Sequence, residues 1–107
     1  MNNMEITPEE VRELMNGDNA PALVDVREQA EWDIVHLEGG RLLDQELVNE
    51  MMESWDKQAP VICYCHHGVR SVQATLYLRQ QGFTDVRSMR GGIDAWAATL
   101  DPGMARY

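Results

Sequence analysis

A chain of 107 residues carries 18 acidic groups against 9 Lys and Arg, a formal charge of −9 with histidine neutral, and this excludes a nucleic-acid partner, because phosphate binding needs a basic face. Its hydrophobic fraction of 44% is ample for a core, which excludes a disordered chain, and no apolar run approaches membrane-spanning length. One domain over residues 1–107 is expected, with 101–107 as its tail.

The stretch Met1 to Pro8 has neither a basic start nor an apolar run, so no secretory leader is expected. Ile6 closes a short first strand. Thr7-Pro8-Glu9-Glu10 then reads as a helix start: Thr7 caps, Pro8 suits the first helical position, and Glu10 completes a capping box. Val11, Leu14 and Met15 share one face of this helix, and Asn16-Gly17-Asp18-Asn19 ends it. Ala22 to Arg27 is the second strand. Its continuous apolar character suits burial on both faces, as in a parallel sheet. Asp25 and Arg27 are charged groups at the end of that strand and need partners. They read as a local ion pair that fixes the loop, or as support for a site at the carboxyl end of the sheet; the two readings are compatible.

Glu28 to Ile34 is a short helical turn with Ala30, Trp32 and Ile34 partly inward. His36 is read as a hydrogen-bonded structural residue or as support for the site. Gly39-Gly40 turns the chain into a very short third strand, Arg41-Leu42-Leu43. Asp44 to Trp55 is a helix, since Leu47, Val48, Met51, Met52 and Trp55 recur at helical spacing. Ser71 to Gln81 is another, with Val72, Ala74, Thr75, Leu76 and Leu78 forming a broad buried face and Gly82 its stop. Thr84 to Met89 is the last strand and Ile93 to Thr99 the last helix. The alternation implies an α/β chain in three layers, α/β/α, around a mainly parallel sheet of about five strands.

The chemistry concentrates at Pro60 to Ser71. Val61 to Tyr64 is an apolar, β-branched central strand; it ends in Cys65, followed by His66, His67, Gly68, Val69 and Arg70, and a helix begins at Ser71. Strand, tight loop and helix N-terminus make an anion-binding geometry of converging N–H groups and dipole. A cysteine in that cradle ionises more easily than a free thiol, because the cradle stabilises the thiolate. Cys65 is therefore the expected nucleophile, and Cys63, inside the strand, the inert thiol. The two cysteines stand one residue apart, where an extended strand gives poor disulfide geometry, so a reducing, cytoplasmic setting is expected. The amides of His66 and His67 are expected to matter more than their imidazoles. Arg70 either stabilises the anion or ties the loop to an acidic neighbour.

Taken together, Leu23-Val24-Asp25-Val26-Arg27, Glu31-Trp32, His36-Leu37 before Gly39-Gly40, Cys65-His66-His67-Gly68-Val69-Arg70-Ser71 and Gly91-Gly92-Ile93-Asp94-Ala95-Trp96 resemble a single-domain rhodanese over nearly the whole chain. The closing Asp101-Pro102 and Arg106-Tyr107 resemble the tail of rhodanese modules fused to enzymes that activate sulfur-carrier proteins. The resemblance implies a sulfurtransferase. Cys65 would take the outer sulfur of a small anionic donor such as thiosulfate as a persulfide and pass it to cyanide, a thiol or a protein acceptor. It implies no metal and no organic cofactor, no nucleic-acid and no membrane partner, and a hydrogen bond from Ser71 to the sulfur. Four residues separate Cys65 from Arg70, where cysteine phosphatases have five, so phosphate or arsenate chemistry ranks below sulfur transfer. A non-catalytic or relay module that docks to a partner is the alternative. The chain departs from the family pattern at Val35, at Glu38 and in a shortened segment between Gly40 and Asp44, which bears on specificity.

Overall fold

Val61, Ile62, Cys63 and Tyr64 are all buried, and they alternate between two apolar clusters on opposite sides of one sheet. Successive side chains of a strand point to opposite faces, so a strand packed on both sides must be apolar throughout. The computed structural model describes residues 4–107, so residues 1–3 of the leader reading lie outside the described residues. Along the chain run β1 (Glu5–Ile6), α1 (Pro8–Met15), β2 (Ala22–Asp25), α2 (Gln29–Ile34), β3 (Gly40–Leu42), α3 (Gln45–Ser54), β4 (Val61–Tyr64), α4 (Val69–Gln80), β5 (Val86–Met89) and α5 (Gly92–Thr99). The five strands pair in the order β1-β5-β4-β2-β3, every pair parallel.

Ile62 and Tyr64 pack with Val11 of α1 and Ile93 of α5 on one face. On the other, Val61 and Cys63 pack with Leu47 and Met51 of α3 and Leu78 of α4. This is the three-layer arrangement expected. The helix starts follow local chemistry. Thr7 Oγ1 accepts from Glu10 N at 3.2 Å while Glu10 Oε1 accepts from Thr7 N at 3.1 Å, the reciprocal box read in the sequence. Asp44 Oδ1 accepts from Leu47 N at 2.8 Å and starts α3.

Three local expectations change. Ala30 and Ile34 are exposed, because α2 is a surface turn that buries none of its residues. The buried face of α4 is narrower than expected: Ser71, Thr75 and Leu78 are buried, and Leu76 is exposed. The helix also begins at Val69 rather than Ser71, because the chain reverses at Gly68.

The connections run outward from β2 to β3 on one side and from β4 to β5 on the other. The order of the sheet therefore reverses between β2 and β4, and open parallel sheets place ligands at the carboxyl ends flanking such a point. Asp25 stands opposite Tyr64 in the ladder, and Val26 N donates to Tyr64 O at 2.9 Å, so Arg27 and Cys65 leave the sheet side by side. Leu47→Ala, which opens a cavity between α3 and the sheet, is expected to cost about 3 kcal/mol in urea unfolding with an unchanged m-value.

Candidate active site

Cys65 is the first residue off β4. Gly68 takes φ +102°, a corner open to glycine and strained for other residues, and α4 starts at once. Two backbone amides then reach the sulfur. Gly68 N donates to Cys65 Sγ at 3.1 Å, and Ser71 N, in the first turn of α4, donates at 3.4 Å. The first amides of a helix have no partner within it and carry the positive end of the dipole, so they suit a sulfur that bears negative charge. Cys65 Sγ also donates to Ser71 Oγ at 3.4 Å, and Ser71 Oγ lies 2.6 Å from Ser88 Oγ of β5. Both hydroxyls are buried. The hydrogen bond expected from Ser71 to the sulfur comes from its backbone amide, while its hydroxyl accepts from the thiol. Ser88 was not singled out; the signal was a hydroxyl in an otherwise buried strand face.

The loop owes its shape to α5. Ile93 N donates to Cys65 O at 2.8 Å and Asp94 N to His66 O at 3.1 Å. These bonds turn the two carbonyls away from the sulfur. Gly92 permits the approach: a Cβ there would lie 2.3 Å from Cys65 O and 2.4 Å from His66 O. The Gly91-Gly92 pair, part of the resemblance noted in the sequence, is thus the seat of the loop.

The charged residues form a second tier around it. Asp25 and Arg27 pair at 2.6 Å with both side chains fully buried. Arg27 also donates to Val35 O at 2.7 Å, so the pair pins both ends of α2 against the strand, the loop-fixing role read in the sequence. Arg70 binds Glu31 of α2 through two bonds, at 2.7 and 3.0 Å. It ties the loop to an acidic neighbour, one of its two expected roles. Arg70 holds the Glu31 carboxyl well below the usual carboxylate range, with help from Tyr107. The folded value is depressed, so this clamp contributes stability above the ordinary carboxyl range and loses it as pH falls through the folded value. Tyr107 was read in the sequence only as the close of the tail. Its hydroxyl accepts from Arg27 Nη1 at 2.8 Å and donates to Glu31 Oε2 at 2.7 Å.

The histidines divide. His66 stacks between His67 and Tyr107, with ring centroids 4.0 Å apart in both pairs. His67 is exposed and faces Asp94 at 3.7 Å. Neither of their amides is among the donors to Cys65 Sγ, so the ring of amides read in the sequence narrows to Gly68 and Ser71 among the described residues. Val69 is 70% exposed and contributes to the corner through its backbone alone. His36 stacks on Trp32 at 3.8 Å and bonds Trp32 O through Nδ1 at 3.0 Å; both contacts are local, and neither reaches the Cys65 loop. Of metal-ligating groups, His66, His67 and Asp94 bring donor atoms within 4.8 Å of one another, but Arg106 already holds Asp94 Oδ1 at 2.8 Å and opposes a cation there.

The two thiols differ in surroundings. Cys63 is sealed in the sheet, and burial pushes its thiol up to about 12. Cys65, the nucleophile expected from the sequence, is also closed off, at 1% exposed. A loop of four residues closes tightly over a bare thiol, and the amides that would hold an extra sulfur press on Sγ instead.

The rhodanese-like domain family pattern matches residues 7–99. The chain is 38% identical over 104 residues to a probable adenylyltransferase/sulfurtransferase, MoeZ, of Mycobacterium tuberculosis, over 95% of this chain and 26% of that protein; it thus spans about a quarter of that relative's length. It is 37% identical over 91 residues to the thiosulfate sulfurtransferase GlpE of Pseudomonas aeruginosa, over 85% of this chain and 81% of that one. A rhodanese-like domain protein from Staphylococcus aureus superimposes with a TM-score of 0.76 at 25% identity, covering 96% and 97% of the two chains. A human single-domain sulfurtransferase shares the fold at 19% identity, with a TM-score of 0.78 over 92% and 98%. A five-stranded parallel sheet with a cysteine loop at its carboxyl end, matched over most of the chain by the family pattern and these relatives, shows that the chain belongs to the rhodanese-like domain family.

Proposed function

We propose that this chain is a sulfurtransferase of the thiosulfate type that works through a persulfide on Cys65. The observation that carries this reading is the convergence of Gly68 N, Ser71 N and the Ser71 hydroxyl on one sulfur at the start of α4. In the first half-reaction the Cys65 thiolate attacks the outer sulfur of a donor such as thiosulfate. The new S–S bond forms as the donor's own S–S bond breaks, and sulfite leaves with the electron pair. In the second, a thiophilic acceptor attacks the outer sulfur, the S–S bond to Cys65 breaks, and the thiolate returns. Such covalent catalysis divides one transfer into two displacements. Fixed donors aimed at the sulfur stabilise its charge at each stage.

Ser88 belongs to this apparatus as a positioning residue. With a neutral thiol the protons point from Cys65 to Ser71 and on to Ser88. With a thiolate the pair reverses: Ser88 donates to Ser71, and the Ser71 proton turns to the sulfur. The name of the thiosulfate sulfurtransferase relative supports a small anionic donor; the acceptors of this reading are cyanide in assay and a thiol or protein in the cell. Residues 1–107 are read as one domain. A cytoplasmic setting fits two free thiols, and among the described residues no helix is long and apolar enough to cross a membrane.

Cys65→Ser is expected to abolish thiocyanate formation from thiosulfate and cyanide with an unchanged circular dichroism spectrum; thiocyanate at a comparable rate would refute the mechanism. Thiosulfate treatment should add the mass of one sulfur to the peptide holding Cys65, and peptide mapping that finds it only on Cys63 rejects the assignment. Ser88→Ala should lower kcat roughly tenfold with KM for thiosulfate unchanged, since the Ser71 hydroxyl beside the sulfur loses the partner that aligns it. Gly92→Ala should lower activity by more than a hundredfold, because it displaces the carbonyls that shape the loop, while far-UV dichroism shows the sheet retained.

A further inference from the structure

Beyond Thr99 the chain has no further helix or strand, and it turns back over the Cys65 loop. Met104 N donates to Asp101 O at 3.0 Å; from Ala105 onward no backbone bond between described residues ties the segment to the rest. Side chains hold it. Arg106 Nη2 pairs with Asp94 at 2.8 Å, on the helix whose first amides shape the loop. The Tyr107 ring stacks on His66, the residue after the nucleophile, at 4.0 Å and 14°. Its hydroxyl bridges the Asp25–Arg27 and Glu31–Arg70 pairs. The space enclosed by Val35, His66, Ile93, Ala97, Ala105 and Tyr107 is about 10 Å³, at the lower limit for one water. The segment is therefore seated closely, yet Tyr107 is 41% exposed. Side-chain anchors at one exposed end mark a segment that opens locally at low cost.

Resting on the sulfur-transfer reading, we propose that residues 101–107 form a strap across the Cys65 loop and that Tyr107 determines which acceptors are served. A small nucleophile such as cyanide reaches the outer sulfur past the docked strap. A bulky thiol reaches it only after Tyr107 leaves its seat on His66, Arg27 and Glu31. The strap-released fraction then scales the apparent affinity for large acceptors. When the strap is down Glu31 accepts from Tyr107 as well as twice from Arg70, so its release takes one partner from the carboxylate that holds the loop.

The test uses the full chain, Tyr107→Phe, Tyr107→Ala and a chain truncated after Gly103. The first measurement is labelling of Cys65 by iodoacetamide and by a bulky maleimide, followed by peptide mapping. Tyr107→Ala and the truncation should raise the maleimide rate at Cys65 roughly tenfold, and more than the iodoacetamide rate, with Tyr107→Phe between them and wild type. Cys63 serves as the internal control, since it is labelled only when the fold opens as a whole. The second measurement is the ratio of kcat/KM for glutathione to that for cyanide, which should rise by a similar factor. Wild-type labelling rates and ratios in all three variants would overturn the strap. So would parallel gains at Cys63 and Cys65, which make Tyr107 a stability contact only. A wild-type chain that forms no persulfide refutes the transferase reading instead, and the labelling arm still decides the strap.

Discussion

Two hydrogen bonds, from the first amides of α5 to the carbonyls of Cys65 and His66, set the geometry on which this molecule depends. A loop after a buried strand must dispose of its own carbonyls before its amides can face a guest, because an unpaired buried C=O costs as much as a lost hydrogen bond. Here another helix accepts that task. Gly92 makes the contact possible by having no Cβ, and the left-handed Gly68 completes the turn. Two amides then donate to the sulfur, and the Ser71 hydroxyl accepts from it. A site for anionic sulfur needs no metal if enough oriented dipoles are held fixed around it.

Around that cradle the acidic and basic groups are spent on architecture. Asp25 and Arg27 form a fully buried ion pair, costly unless every remaining donor is used, and Arg27 does spread its donors over Asp25, Val35 O, Glu31 O and Tyr107. Glu31 and Arg70 repeat the pattern nearer the surface. The two pairs share α2 and Tyr107, so the wall of the site, the short surface helix and the closing segment are a single polar network. Such networks are stable when fully satisfied and loosen together when one member leaves. A thiol that is 1% exposed is the consequence: the network closes tightly over Cys65.

The α/β class and the sheet of about five strands were legible because the signals are local. Continuous apolar runs at Ala22 to Val24 and Val61 to Tyr64 mark strands covered on both faces, and the capping box at Thr7 and Glu10 is written within four residues. Element ends were less so. The start of α4 moved by two residues because a backbone dihedral at Gly68, not a side-chain pattern, decides it. Ile34 and Leu76 sit on faces that helical spacing made apolar but that have no neighbour to bury them. At the site, the position of Cys65 could be read from the strand-loop-helix order, while the bond from Ser71 was implied by the family resemblance. The pairing of Arg70 could be narrowed to two options and no further.

By itself the sequence determined that a cysteine would stand where a buried strand meets a helix N-terminus, since apolar runs, glycines and capping groups act over a few residues. Only the tertiary structure decided what surrounds it. Ser88 reaches Ser71 across 17 positions, Arg70 reaches Glu31 across 39, and Tyr107 reaches Glu31 across 76. Those partners are chosen by the order of strands in the sheet and by the path of the closing segment. Both are settled by packing free energy summed over the whole chain, to which no short stretch of residues holds the key.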